Sequence, residues 1–394
     1  MNSYDVIVIG AGVIGASVAF HLARMRAGRV LVLERNAIGT GTTAQSSGIL
    51  RTHYSVPENV DLARRSWDVF RDFAAYVEDP EASCGLIKCG YLIAAPEGPM
   101  QRALEASLVA QRGMGIGVEI LDRQEAAERL PIARFDDAAL IAYEPEAGFA
   151  DSYMVSHAFA KAARRMGVEC RQGVAVNDLV LEAGRIVGVD TDQGRFVSRT
   201  VVSAQSIWSR ELECRVGMPM PVKPERHTVL ALEAAAAYTF AMPVFKDLAS
   251  PGMLYCRSYG GTQMLVSEGT TGEALAGPDL EQGPVSMDVV GEIGAQVAER
   301  FPAYETAGLA SSWTGVYDVT PDWNPVLGHL PGIEGLVVAF GFSGHGFKLS
   351  PAVGRVLAQE ALGVATEVSL APYSIERFDR GALLVGKYGS GAVS

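Results

Sequence analysis

From Tyr4 to Ile9 the chain reads Tyr-Asp-Val-Ile-Val-Ile, an apolar, β-branched stretch that stops at Gly10. Apolar residues at successive rather than alternate positions predict a strand buried on both faces. The pattern then turns helical to about Met25 and returns to an apolar strand over 29–34. Together these make a strand–helix–strand unit about thirty residues long, which requires a parallel sheet and a right-handed crossover.

Further along, Ala63, Trp67, Phe70, Ala74 and Val77 recur at helical spacing and predict an amphipathic helix over 58–78. Asp122 and Glu125 form a capping pair ahead of a short helix that stops at Pro131. Residues 151–166 are helical in pattern, with Gly167 where a C-terminal cap belongs. Four short strands at 168–176, 179–182, 185–191 and 196–203 predict a small hairpin layer beside the parallel sheet. The stretch 223–268 is strand-rich, with turns at Ser250-Pro251-Gly252 and Tyr259-Gly260-Gly261, and helices follow at about 286–300 and 349–362. Its change of character from the N-terminal unit predicts a second domain.

The length of 394 residues fits two domains. A 48% hydrophobic and 20% charged composition excludes intrinsic disorder, and 43 glycines without a triplet period exclude collagen. The formal net charge of −12 repels phosphate backbones and anionic lipid, so neither nucleic acid nor a membrane surface is a natural partner. Cysteines at 84, 89, 170, 214 and 256 are odd in number and scattered, which predicts no disulfide framework and a cytoplasmic location. The apolar stretch 6–23 lacks a basic leading segment and carries His21, so it reads as part of the fold rather than as a signal peptide or membrane span. No metal site is predicted.

Gly10-Ala11-Gly12-Val13-Ile14-Gly15 lies between the first strand and the first helix. There the first glycine makes a tight turn, the second lets backbone approach a pyrophosphate, and the third lets helix pack on strand. The helix N-terminus then faces the phosphates. Glu34 ends the second strand, where its carboxylate can accept from both ribose hydroxyls of a dinucleotide. That carboxylate does not separate NAD from FAD; absence of a second fingerprint argues against a flavin enzyme that also holds a nicotinamide. Cys84 and Cys89 have the spacing of a redox pair, but their flanking residues do not resemble one.

A second informative run is Gly341-Phe342-Ser343-Gly344-His345-Gly346-Phe347-Lys348, followed by helix. Aromatic and ionisable side chains interleaved with glycines at a helix start make a poor core and a good ligand cradle. A helix N-terminus aimed at a reduced flavin would stabilise the negative charge that builds there.

Five ordered motifs, the fingerprint with Glu34, residues 41–48, residues 201–208, Thr320-Pro321-Asp322 and residues 341–348, together resemble the D-amino acid oxidase superfamily. The likeness covers nearly the whole chain and is closest to the sarcosine oxidase, dimethylglycine dehydrogenase and glycine oxidase branch. It implies an α/β (α+β) fold, in which a Rossmann-type FAD-binding domain with a mostly parallel sheet joins a substrate domain on a mixed or antiparallel sheet. The expected division is 1–84, 146–222 and 319–394 for FAD, and 85–145 with 223–318 for substrate. Cofactor contacts implied by the motifs are Gly10, Gly12, Val13, Ile14, Gly15, Glu34, Arg35, Thr42, Thr43, Gln45, Ser46, Ser47, Gly48, Val174, Ala204, Gln205, Trp208, Gly315, Gly341, Ser343, Gly344, His345, Gly346, Phe347 and Lys348.

The resemblance also implies oxidation of an amine or amino acid at its C–N bond, with Arg51 and Lys348 clamping the substrate carboxylate. Tyr317 matches a substrate-site tyrosine and His345 a position close to the flavin. Tyr54, Tyr255, Phe342 and Phe347 could complete an apolar pocket for an N-alkyl group. Positions that carry covalent flavin attachment in the family are empty here: Gly315-Val316 replaces a cysteine, and Gln45 stands at about the place of a histidine. FAD is therefore expected to be non-covalent. An oxygen-activating lysine aligns with Leu265, which counts against rapid use of oxygen. Gln205 replaces a glycine usual in its motif. Two alternatives stand beside this reading: a flavin-bearing subunit of a larger dehydrogenase complex that passes electrons to a partner, and an NAD-dependent dehydrogenase. Either a partner protein or oxygen would take the electrons, and the chain could form homo-oligomers.

Overall fold

A computed structural model describes residues 3–234, 241–270, 272–277 and 285–387. The first strand, β1 (Val6–Ile9), the helix α1 (Val13–Arg24) and the second strand, β2 (Val30–Glu34), form the expected parallel unit, with Val6 to Ile9 in register with Val30 to Leu33. All four β1 residues are buried, because α1 covers one face of the sheet and the 176–197 hairpins cover the other.

Around this unit a six-stranded sheet runs, in spatial order, Val326–His329, Leu336–Phe340, Val201–Ser203, β1, β2 and Glu169–Gln172. Only the edge pair, Val326–His329 with Leu336–Phe340, is antiparallel. The hairpin layer expected over 168–203 is thus smaller than predicted. Its first segment joins the parallel sheet and its last one splits, Val201–Ser203 going to that sheet while Gly194–Val197 stays with Val176–Glu182 and Arg185–Thr191 in an antiparallel three-stranded layer. Local alternation marks a strand but does not choose its neighbour, which explains the difference.

The second layer is a nine-stranded sheet built from 91–144 and 223–319. Its longest pair, at one edge, is Lys223–Glu233 against Gly308–Val319. Alternate residues sort the two faces. Leu92, Ala94, Leu230, Phe245, Cys256 and Val266 pack against the Met287–Arg300 helix, whereas Tyr91, Ile93 and Val244 face the nucleotide-type sheet. Asp247, on the first face, holds Arg300 through two bonds of 2.8 and 3.0 Å, and Asp137 holds the same guanidinium from outside.

The Asp122–Glu125 pair caps its helix as expected, and the structure adds two further caps. Asp122 and Glu125 make the reciprocal box, Asp151 accepts from Met154 N, and Ser286 from Val289 N. The helix expected over 58–78 breaks at Asp72, giving Pro57–Arg71 and a short Phe73–Tyr76 turn. The last helix starts three residues earlier than expected, Gly346–Ala361 against 349–362, so Lys348 lies in its first turn. Pro351 is the sixth residue of this helix, where it removes the donor that would meet the Phe347 carbonyl. Among the described residues no helix is long and apolar enough to cross a membrane, and no His/Cys/Asp/Glu cluster could hold a metal.

Candidate active site

An elongated cleft of about 1840 Å³, its open mouth included, runs from the end of β1 to the face of the nine-stranded sheet. At its head, Gly10 adopts a φ of +93°, and a Cβ there would sit 2.6 Å from the Ala204 carbonyl oxygen. Any Cβ on Gly15 would strike the Gly10 carbonyl, so this glycine is required for helix to pack on strand. Gly12 differs: its backbone is extended, and a Cβ would meet only Thr43 Oγ1, at 3.0 Å. Its hydrogen therefore leaves open the space beside the α1 N-terminus, where Gly12 offers no side-chain cap. Val13 N donates to Thr43 Oγ1 at 3.1 Å.

Glu34 closes the same turn, accepting from Ala11 N at 2.7 Å and from Asn36 N at 2.8 Å. A carboxylate has about four acceptor sites, so both oxygens keep capacity for hydroxyls in the cleft that Glu34 lines. Arg35 stacks on the Trp208 ring at 4.0 Å, and Thr42 Oγ1 meets Ser206 Oγ at 3.2 Å, closing one wall. Gln205 Oε1 accepts from Ser203 Oγ at 3.0 Å, which gives this departure from the family motif a local anchor. Gln45 Oε1 accepts from Val316 N at 3.0 Å, and a Cβ on Gly315 would lie 3.5 Å from Gln45 Cβ. The two positions where the family forms covalent flavin links are therefore in contact with each other, and the lining carries no cysteine.

The opposite wall is the 341–348 turn. Gly341 N donates to Asp318 Oδ2 at 2.8 Å and Ser343 N to the Asp318 carbonyl at 3.2 Å, which holds Ser343 at a left-handed φ of +49°. Gly344 must lack a side chain, since a Cβ would lie 2.5 Å from the Tyr317 ring. Burial pushes the Asp318 carboxyl up, while the Gly341 N–H opposes the shift. These glycine-lined approaches, an uncapped helix start and an acidic strand end fit an extended dinucleotide such as FAD.

Beyond the turn lie the ionisable groups. Lys348 lines the cleft, with Nζ 3.4 Å from the Gly344 carbonyl; burial, reinforced by the nearby Arg51 charge, holds its ammonium well below the usual range. Arg51 itself stands one layer behind, its guanidinium 4.4 Å over the Tyr54 ring and 5.7 Å from Tyr91, donating to the His53 carbonyl. Glu144 fixes that loop by accepting from Thr52 N at 2.7 Å, Thr52 Oγ1 at 2.5 Å and His53 N at 3.0 Å. Burial raises the Glu144 carboxyl, against those bonds and the Arg51 charge. Tyr317 Oη lies 3.4 Å from Tyr255 Oη, and its ring stacks on His227 at 3.9 Å. His345 packs edge-on against Tyr54 at 5.2 Å, and burial, then Lys348 and Arg51, keep it neutral.

Most of the expected residues line the cleft, including Val174, Gln45, Ser46, Ser47, Ala204, Tyr255, Tyr317, Phe342, Gly346 and Phe347. Gly15, Gly48, Arg51, Tyr54, Gly341, Ser343 and His345 stand behind it. Gly48 is backbone-tied to Ala150, and both His345 ring nitrogens are buried without a hydrogen-bond partner. Leu265 packs among Val229, Ala231 and Trp313. Sequence reasoning missed Glu144, His227, Lys246, Arg257 and Asp318. The signal available for them was polarity at alternate positions of apolar strands, as with Lys246 in Val-Phe-Lys-Asp. Cys84 and Cys89 are no redox pair: both are free, and burial raises both thiols, that of Cys89 to about 11. The Cys214 side chain lies outside the described residues.

Residues 5–360 match the family described as DAO, FAD dependent oxidoreductase. The chain is 27% identical over 407 residues to sarcosine oxidase subunit beta of an Arthrobacter species, covering 100% of this chain and 95% of that one. Glycine oxidase from Geobacillus kaustophilus superposes with a TM-score of 0.82 at 27% identity, over 96% of this chain and 99% of that chain. L-proline dehydrogenase from P. horikoshii shares the fold, with a TM-score of 0.88 at 24% identity over 97% of this chain and 99% of the other. With the cradle, the acidic strand end and the whole-length match in agreement, the chain belongs to the DAO family of FAD-dependent oxidoreductases.

Proposed function

We propose that this enzyme oxidises the C–N bond of a secondary or N-methylated amine or amino acid to an imine, which water then hydrolyses. The observation that carries the reading is the pairing of two buried cations, Arg51 and Lys348, neither in an ion pair among the described residues, beside the tyrosine-lined end of a dinucleotide cleft. Buried charge without a counter-ion is costly and marks a place where a ligand supplies the opposite charge. The likeness to a sarcosine oxidase subunit and a glycine oxidase supports an amino acid as that ligand.

FAD, when bound, supplies the two-electron acceptor. The chain's own residues bind and orient. Lys348 meets the substrate carboxylate from the cleft, and Arg51 reinforces it from behind, a planar fork backed by the Glu144-held loop. Two cations so close also lower the pKa of an ammonium between them, favouring the neutral amine that can be oxidised. Phe342 and Phe347 present apolar surface that excludes water, and the Tyr255 and Tyr317 hydroxyls border the pocket. In this reading the segments 1–84, 146–222 and 319–394 hold FAD, and 85–145 with 223–318 hold the substrate.

Anaerobic mixing of the purified flavoprotein with glycine, N-methyl, cyclic and D-amino acids tests the proposal. Loss of visible flavin absorbance with one class identifies the substrate; no bleaching by any carboxylated amine sinks it. Readmitting air then measures oxygen use. A second reading, a flavin-bearing subunit that hands electrons to a partner protein, is favoured by the apolar packing of Leu265 and by the likeness to a subunit of a larger enzyme. It predicts slow colour return in air and co-purification of a second chain.

A further inference from the structure

Lys246 is a third buried cation that the carboxylate clamp does not use. It is 5% exposed, on the Val244–Asp247 strand, and cross-strand pairing sets Lys246 opposite Tyr255. Paired residues share a face, so Lys246 stands on the same side of the sheet as Tyr255, Tyr91 and Glu144, the side that turns toward Arg51 and the cleft. The adjacent Asp247 points to the other face and is held by Arg300, so its charge only partly offsets burial and the Arg51 charge at Lys246. Nζ donates to the Met253 carbonyl at 2.8 Å and lies 5.7 Å from the Tyr255 ring. It also rests against the backbone of Gly269, where any Cβ would collide with it. An ammonium has three donors, and this one bond accounts for one of them.

The Arg51 charge acts on both Lys246 and Lys348. Lys246, like Arg51, stands behind the residues that line the cleft, next to the lining Tyr255, and no ion pair among the described residues engages any of the three cations. Glu144, on the same face, has its carboxylate committed to Thr52 and His53. Burial and the Arg51 charge both weaken the Lys246 ammonium, to about 7, so an arriving anion would meet a group that gains by being charged. In the same region both ring nitrogens of His345 are buried without hydrogen-bond partners. A single carboxylate matches the two cations of the clamp and leaves the third unanswered.

Resting on the amino acid reading above, we propose that Lys246 anchors a second substrate carboxylate, so that the preferred substrate is a dicarboxylic amine. Its two acid groups would be gripped on opposite sides of the nitrogen, one by Lys348 and Arg51 and the other by Lys246. An N-carboxymethyl amino acid has this shape.

The test compares N-carboxymethylglycine with its monoamide, which has the same size and one charge fewer, on the FAD-loaded wild type, Lys246→Met and Lys246→Arg. We expect the wild type to favour the dicarboxylate at least tenfold in kcat/KM, mostly through KM. That preference should fall about tenfold in Lys246→Met and be largely retained in Lys246→Arg. In parallel, thiodiacetate and (methylthio)acetate, which lack the oxidisable nitrogen, are titrated against the flavin spectrum, so that affinity is read without turnover. Equal affinity for the two thioethers, or a dicarboxylate preference unchanged in Lys246→Met, overturns the proposal. Oxidation of the monoamide without any preference for the diacid sinks the Lys246 assignment alone. If no carboxylated amine bleaches the flavin and neither thioether perturbs it, the amino acid reading fails as well.

Discussion

Individual side chains divide into those that shape the cleft and those that charge it. Gly12 belongs to the first kind. Because its backbone is extended and a Cβ would touch only the end of Thr43, Gly12→Val should fold normally yet fill the approach to the pyrophosphate. Its FAD dissociation constant should rise about a hundredfold, near 3 kcal/mol. Flavin titration of the apoprotein checks this, and an unchanged constant would place the phosphates elsewhere. Arg51 belongs to the second kind. Truncating one partner of a buried charge pair costs about 2–5 kcal/mol, so Arg51→Ala should raise KM for a carboxylated amine by roughly one and a half to three and a half decades. An unaltered KM would remove Arg51 from carboxylate recognition.

Elements, rather than residues, explain why Thr320-Pro321-Asp322 is present. The Asp322 carboxylate holds Arg377 through bonds of 2.7 and 2.9 Å and also accepts from Asn324 N and Leu384 N. Both charges are almost wholly buried, 2% and 0% exposed at the side chain. They clamp the C-terminal segment onto the strand end that leads to the 341–348 turn. Removing one partner of such a pair is worth about 3–5 kcal/mol. Arg377→Ala should therefore lower the unfolding free energy of the holoprotein by about that amount in urea, while the KM of the material that stays folded changes little. A loss under about 1 kcal/mol would contradict this assignment.

At the scale of the whole molecule, burial has consequences for acid stability. Four of the six histidines, His21, His53, His227 and His345, are at most 4% exposed. Burial lowers all four: His21 and His53 to about 3, His227 to about 4, and His345 well below its usual value. The unfolded chain binds these protons as pH falls through about 6.5, whereas the native protein takes them up only at lower pH. Their contribution is thus fully present above 6.5 and is lost progressively below it. Each proton contributes about 1.4 kcal/mol per pH unit, so at pH 5 the four together give a slope of roughly 5. Denaturation of the FAD-saturated protein between pH 7 and 4.5 measures that slope, and His227→Phe should reduce it by about one proton. A slope below one proton in the wild type would refute the account.

What the sequence determined by itself is everything carried by neighbours along the chain. Strand, glycine turn and helix at 6–24, the acid at the end of β2, and the cap at Asp122 are local arrangements of a few residues. Hydrophobic period and backbone preference are expressed at that range. Which strands pair is a longer-range matter, and here the tertiary structure decided. It sent residues 169–172 and 201–203 to the parallel sheet, not to the hairpins. It also put Arg51 behind the cleft instead of on its lining, tied Glu144 to the loop beside it, and turned Lys246 inward while Asp247 faces the other side. Register sets the side of a sheet on which each side chain stands, and a shift of one residue would exchange them. The chemistry of the cradle was therefore legible in the sequence, and the charge balance of the substrate pocket only in the fold.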